Sequence, residues 1–499
     1  MRKLNALLTF CLVTTFVSTA RAQVNNAQLM GDYAFGFNGM TTGGSGASTP
    51  FAAVGRFTAD GNGNLTNGEL DSNGLGISLG GVEKAVALAF TGTYSIGADH
   101  RGVMNLNIPG GGVLAFVVLA NGNAKFVEVD ASGGHGTVGS GSIERVDTTA
   151  FNTARITGDY AFGAAGLDQS NNRTAIAGRF TANGAGMLSN GASDVNQSGT
   201  FTTLNMFAGT YMVSDTSTGR GVVNLPPLLG GTLQNLDFVF YIVNGGKLFF
   251  MESDAVSTLT PLLNGTMLQQ QTPLGGFSSG ALNGNTVLYL TGRTICPGGS
   301  NAAPNVIAGL LSTNGVGIAN LTYDQNCGGG ASSVPSLSGT YDLTGNGRAA
   351  FGLGGAYVVA YVVGSNQAFF IVPDSSVLLG FGEAQTAGAF TNSAVAGSYS
   401  GLATTAAALG VTIFSGAFTA DGASPTGNLS GTEDIGAPSG PSLGVAVNAT
   451  YSISSTPTNG RGLISGSIGG SGVIYVISPS KFVVVSLNDP NPAVLIFEK

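Results

Sequence analysis

Four short segments recur in a fixed order along the chain, and a sequence that repeats itself this way folds as repeated units. The first opens GDYAFG at Gly31 and again at Gly158, with looser copies GNTVLYLTG at Gly284 and GSYSGLATT at Gly397. The second is GRFTADG from Gly55, then GRFTANG from Gly178, GLLSTNG from Gly309 and GAFTADG from Gly416. The third places Tyr94, Tyr211, Tyr341 and Tyr451 after Gly-Thr or Ala-Thr, and an arginine follows each: Arg101, Arg220, Arg348 and Arg461. The last is a pair of apolar strands that ends at Asp130, Asp254, Asp374 and Asp489.

Each unit reads as about eight short strands. In the first they fall near 31–38, 52–59, 64–71, 86–96, 101–107, 113–119, 124–130 and 136–145, with turns at Asp60-Gly61, Asn67-Gly68, Asn73-Gly74 and Asn121-Gly122. Glycine, 81 of 499 residues, has no collagen period and punctuates Val, Ile, Phe and Tyr runs, so it marks tight turns rather than disorder. No segment sustains a helical period, although Val82 to Phe90 and Ala403 to Leu409 are candidates for short helices. Eight consecutive strands with short links predict an all-β fold of four tandem antiparallel units, each a small up-and-down barrel, with a two-layer sandwich as the alternative. The expected division is a leader over 1–22 and units over 23–150, 151–275, 276–390 and 391–499.

The leader reading rests on Arg2 and Lys3, the apolar run from Leu7 to Val17, and the small-x-small site Ala20-Arg21-Ala22. The run is too short to span a bilayer, so no transmembrane anchor is expected and the mature chain should start near Gln23. Removing the leader leaves 15 basic and 26 acidic residues, a net charge near −11. Such a balance excludes a nucleic-acid partner, which needs clustered Lys and Arg. Cys296 and Cys327 are the two cysteines outside the leader. In a meander both lie at the same end of the third unit, so a disulfide is expected, worth about 3 kcal/mol for a loop of this size.

The GDYAFG, GRFTADG, Gly-Thr-Tyr and Arg-Gly series resembles a class of uncharacterised exported bacterial proteins built from such repeats, and the likeness covers almost the whole mature chain. That class has no agreed activity, so the resemblance implies an exported β-repeat protein and carries over no catalytic residue. The Gly-Thr-Tyr strand also resembles avidin-like and lipocalin-like barrels.

Candidate sites are few. Asp60, Asn62, Asn64 and Asp71 stand at positions 1, 3, 5 and 12 of a calcium-type loop, but Leu65 holds the sixth position, where the turn calls for glycine. Other units lose the ligands, so a hairpin loop is the favoured reading. The four arginines are expected to form local ion pairs or bonds to turn carbonyls. Glu128 with Asp130, and Glu252 with Asp254, would share a strand face as acid–base pairs do. A solvated or ion-paired strand edge is the simpler reading. The tyrosine series reads as buried rings with satisfied hydroxyls. His100 and His135 do not recur and make no zinc site by themselves. No catalytic constellation, cofactor loop or metal cluster is expected.

Three functions follow in order of expectation. The first is an exported, non-catalytic surface, matrix or adhesive element, with a cell-surface polysaccharide or protein as partner. The second is a binding module for a small apolar ligand or glycan in or on each unit, which small inward-facing residues would favour. The third is an exported hydrolase, using His100, His135 or the insert around Cys296.

Overall fold

The computed structural model describes residues 25–42, 48–74, 84–109, 111–131, 136–225, 235–386, 388, 390–404, 412–454, 459–467 and 470–499. Its strands form four closed barrels in chain order. The first barrel runs from β1 (Met30–Thr42) to β8 (Gly136–Arg145), the second from β9 (Thr157–Leu167) to β16 (Leu262–Gln269). The third runs from β17 (Asn283–Ile295) to β24 (Val377–Ala384), the fourth from β25 (Gly397–Thr404) to β32 (Val494–Glu498). Each strand pairs antiparallel with the next and the eighth returns to the first, as where Tyr33 faces Arg145 and Thr404 faces Val494. Closure leaves no unpaired sheet edge, which an open sandwich would keep.

The first candidate helix is not found. Residues 84–90 belong to β4 (Lys84–Ile96), and Ala403 lies in β25; residues 82–83 and 405–409 are outside the described residues. The reason is periodicity: Phe90, Tyr94 and Ile96 enter the first barrel's core at a spacing of two, with Leu88 packed against it. A fourth strand must also bridge the third and fifth for the barrel to close.

Each barrel has its own core. In the first, Phe35, Phe57 and Phe90 make tilted and edge contacts, and Phe37 stacks on Phe126 with centroids 5.9 Å apart. The tyrosine series pins the segment before the first strand of each barrel. Tyr94, Tyr211 and Tyr341 donate to the carbonyls of Leu29, Ile156 and Leu282 at 2.6, 2.6 and 2.8 Å. Tyr451 accepts from Gly422 N at 2.8 Å.

The sixth and seventh strands do not alternate; they are apolar on both faces. Phe116 and Phe126 point into the first barrel, while Ala115 and Val127 between them pack with the fourth barrel's core. Likewise Val239, Tyr241 and Met251 of the second barrel lie against Ala34, Ala52 and Val54 of the first. The outer face of one barrel's opening strands thus packs on the closing strands of the next.

A polar triad marks three of these junctions. Asp71 accepts two bonds from Arg220, both 2.8 Å, and one from the Tyr241 hydroxyl at 2.8 Å. Asp194 does the same with Arg348 and Tyr361, and Asp324 with Arg461 and Tyr475. Burial and then the adjacent carboxylate raise the hydroxyl pKa values of Tyr241 and Tyr361, so they stay donors. Two residues past each carboxylate, Asn73, Asn196 and Asn326 cross the same junction to backbone carbonyls, as from Asn196 to Val372 and Asp374 at 2.8 and 2.7 Å.

The fourth junction joins the ends. Arg101 of the first barrel meets Asp434 of the fourth at 2.7 Å, as well as its neighbour Asp99. The four barrels therefore touch in a closed cycle, each covering the next. This corrects the expectation of local arginine partners. Each arginine opens a fifth strand with its side chain outward, and outward here means toward a carboxylate of the adjacent barrel.

Candidate functional site

Eight strands leave an interior just wide enough for side chains to fill, so what stands inward decides whether a barrel is solid or hollow. Phe162, Phe180, Phe207, Phe238, Phe240 and Phe250 occupy the second barrel's core. Counted from the shared motifs, five of these six positions hold Leu288, Leu311, Leu337, Val358 and Ala360 in the third barrel; only Phe370 keeps its ring. The third barrel holds a cavity of about 250 Å³, against about 40 Å³ in the first barrel. The fourth barrel keeps only Phe418 of the six, with Gly401, Val447, Gly472, Ile474 and Val484 at the other positions, and the space between Val395, Leu429 and Phe482 inside it admits no water molecule.

The third cavity is apolar at its floor and polar at one end. Leu288, Leu311 and Phe351 line the floor; Asn305, Gln325, Asp374, Ser376 and Tyr323 line the other end. Asn305 opens the second strand of this barrel and shares a face with Ile307 and Leu311, which turns it inward. Its Oδ1 accepts from Gln325 at 2.9 Å, while its Nδ2 is buried without a partner. A buried amide donor with no acceptor costs about 1–3 kcal/mol, unless something in the cavity accepts from it. On the adjacent strand Asn305 pairs with Cys327, which is joined to Cys296 with Cα atoms 5.7 Å apart.

Sequence reasoning did not find this site. Asn305 lies where the first barrel has Phe51, and the signal was an amide at that inward position rather than any motif.

The residues that the sequence did single out are dispersed. Asp60 caps its own turn, accepting from Asn62 N and from both Asn64 N and Asn64 Nδ2, which holds its carboxyl down at about 2. Asp71 does not join it. Asp71 sits opposite Val54, six residues back along the strand from Asp60, or about 20 Å at strand spacing. It is bound to Arg220 and Tyr241 instead. Among the described residues no group of three or more His, Cys, Asp or Glu is placed to hold a metal ion.

Glu128 and Glu252 depart from the expectation of a solvated strand edge. They share the inward face of Phe126 and Phe250, and Glu252 is fully buried. Burial pushes the Glu252 carboxyl up to about 10, so it is neutral at pH 7, and pushes that of Glu128 well above the usual range. Glu252 accepts from Asp254 N at 2.6 Å, and although the strands end at Glu128 and Glu252, the Asp254 and Asp130 carboxyls still act on those of Glu252 and Glu128. His100 is exposed in a turn with φ of +65°, its Nδ1 2.8 Å from Gln28 Oε1; His135 is outside the described residues.

No protein-family model and no curated protein matches the chain. Among solved structures, a mutant of transferrin binding protein B from Haemophilus parasuis Hp5, a vaccine antigen, aligns at 11% identity. That alignment covers 77% of this chain and 85% of the other, with a TM-score of 0.16. A double mutant of the same protein aligns at 12% identity over 75% and 82%, again with a TM-score of 0.16. Similarity this low carries no argument about fold or function. Among the described residues no helix is long and apolar enough to cross a membrane.

Proposed function

We propose that the chain is an exported, non-catalytic ring of β-barrels that binds a small apolar ligand inside its third unit. One observation carries this reading: the third barrel keeps a cavity of about 250 Å³ with an unpaired buried amide at one end. That volume is near the lower limit of small-molecule pockets. The fitting ligand has an apolar body for Leu288, Leu311 and Phe351, and one hydrogen-bond acceptor, such as a carbonyl, for Asn305 Nδ2. Where the cores are filled with aromatics, the barrels serve as the scaffold that holds the third in place. Export rests on residues 1–22, and the mass of the exported product, beginning at Gln23, checks it.

The test is fluorescence titration of the full chain with N-phenyl-1-naphthylamine, followed by displacement with decanoic acid. Saturation at one probe per chain is expected. Val358→Phe places in the third barrel the ring that Phe238 supplies in the second, and it should abolish the signal while the chain stays folded. An unchanged titration in that variant, or none in the parent, overturns the proposal.

A further inference from the structure

Three junctions are bridged by the chain itself. After each eighth strand the linker runs between two barrels and bonds to both. Val146 N and Asp147 N reach the carbonyls of Asp32 and Val243; Gln270 N and Gln271 N reach those of Asp159 and Val363. Gln385 N and Thr386 N repeat the pattern at Asn285 and Ile477. Among the described residues no segment runs between barrels 4 and 1 as these linkers do.

The side chains at this fourth junction differ in the same place. Val117 stands where the other junctions have Tyr241, Tyr361 and Tyr475, opposite the arginine in each case. Ala417 and Ser398 stand where the first two barrels carry the ion pairs Arg56–Asp32 and Arg179–Asp159. Here lies a pocket of about 660 Å³, bounded by Val117, Ser398, Ala417, Thr432 and Lys499; Asp434 is not in its wall but is tied to Arg101, the cross-strand neighbour of Val117.

The carboxylate of this junction differs as well. Asp71, Asp194 and Asp324 each take a tyrosine hydroxyl on Oδ2, at 2.8, 2.7 and 2.6 Å. Asp434 is buried too, though slightly less than they are, and both its bonds, from Arg101 Nη1 and Gly444 N, fall on Oδ1. Among the described residues its Oδ2 accepts nothing.

We propose that the pocket between the fourth and first barrels binds a phenol group, its ring against Val117 and its hydroxyl donated to Asp434. The incoming ring replaces the tyrosine that the other three junctions supply from within. The rest of the pocket, along the path the linkers take elsewhere, holds whatever carries the phenol. A small free phenol and a tyrosine on an extended peptide present the same chemistry there.

Calorimetry of the full chain distinguishes them. The Val358→Phe background closes the third barrel, so a failure of the barrel proposal does not enter the result. The probes are p-cresol and the blocked peptide Ala-Gly-Tyr-Gly-Ala, with toluene and the phenylalanine peptide as controls. One site per chain is expected, with the controls bound about tenfold more weakly, as for one lost hydrogen bond. Binding of p-cresol alone assigns a small phenol; binding of both probes assigns room for a peptide. Val117→Tyr restores the residue of the other junctions and should remove binding while raising Tm. Neither probe binding, toluene binding as well as p-cresol, or an unaffected Val117→Tyr chain would overturn the assignment.

Discussion

Arg101 Nη1 lies 2.7 Å from Asp434 Oδ1, joining residues more than three hundred positions apart and making the last barrel a neighbour of the first. The same arginine also pairs with Asp99, so it divides its donors where Arg220, Arg348 and Arg461 each give two to one carboxylate. The junction that closes the cycle is thus the least bonded of the four.

Removing a carboxylate should report that ranking. Asp324→Ala strands Arg461 and the Tyr475 hydroxyl in a buried junction. Breaking a buried pair costs about 3–5 kcal/mol, and the partial exposure of Arg461 moves the effect to the low end. Asp434→Ala should lower Tm by less, since Arg101 keeps Asp99. Scanning calorimetry of both variants checks this, and equal shifts would contradict it.

The asparagines give an independent test. Asn196→Ala leaves the carbonyls of Val372 and Asp374 without their donor, for a cost of about 1–2 kcal/mol. At the fourth junction the equivalent position is Gly436, where a Cβ would stand 2.5 Å from the Glu128 carbonyl oxygen. Gly436→Ala should therefore destabilise the chain, although alanine suits a strand better than glycine. A neutral or stabilising effect in urea unfolding would show that the two barrels do not meet there.

Acidity should act in two opposite directions. Glu252 and Glu433 have pKa values raised by burial to about 10 and about 7, so the folded chain holds protons that the unfolded chain releases. Their contribution is complete below pH 4.5 and is lost as pH rises, through about 7 for Glu433 and about 10 for Glu252. Asp324 has the opposite sense. Burial works against its charge, but bonds from Arg461, Ser333 and Tyr475 outweigh burial, so its contribution is present above pH 3.8 and lost on acidification. Tm should peak in mildly acidic buffer, and Glu252→Gln should flatten the alkaline decline. A Tm that rises steadily to pH 9 would refute this.

Reduction should act on the third barrel. The Cys296–Cys327 bond closes a span of 31 residues, worth about 3 kcal/mol in the chain-entropy model. Because Cys327 faces Asn305, dithiothreitol should lower Tm and also speed probe release from the cavity. Stopped-flow displacement measures the second effect, and an unchanged off-rate would place the cavity away from the bond.

The barrels were legible because each shared motif fixes a strand: Tyr94 and its three counterparts mark the fourth, and the arginines open the fifth. Contacts between units were less legible, since Arg220 is next to turn residues in sequence while its partner Asp71 is 149 positions away. A signal was nevertheless present. Asp71-Ser72-Asn73, Asp194-Val195-Asn196 and Asp324-Gln325-Asn326 repeat an Asp-x-Asn pattern, and the unbroken apolar runs ending at Glu128 and Glu252 read as strands buried on both faces. The cavity had no motif at all, because it depends on how scattered inward side chains pack, and the fourth barrel lacks five of the same six rings.

Closure also fixes copy number. An open stack of repeats gains or loses a unit at its ends, where a single face must be accommodated. In a cycle each barrel sets the angle that lets Arg101 reach Asp434, so a duplicated or deleted copy leaves two mismatched faces exposed. Recombination between these similar segments would then be filtered by geometry, and change would accumulate inside the units, as it has in the third, while their count stays at four.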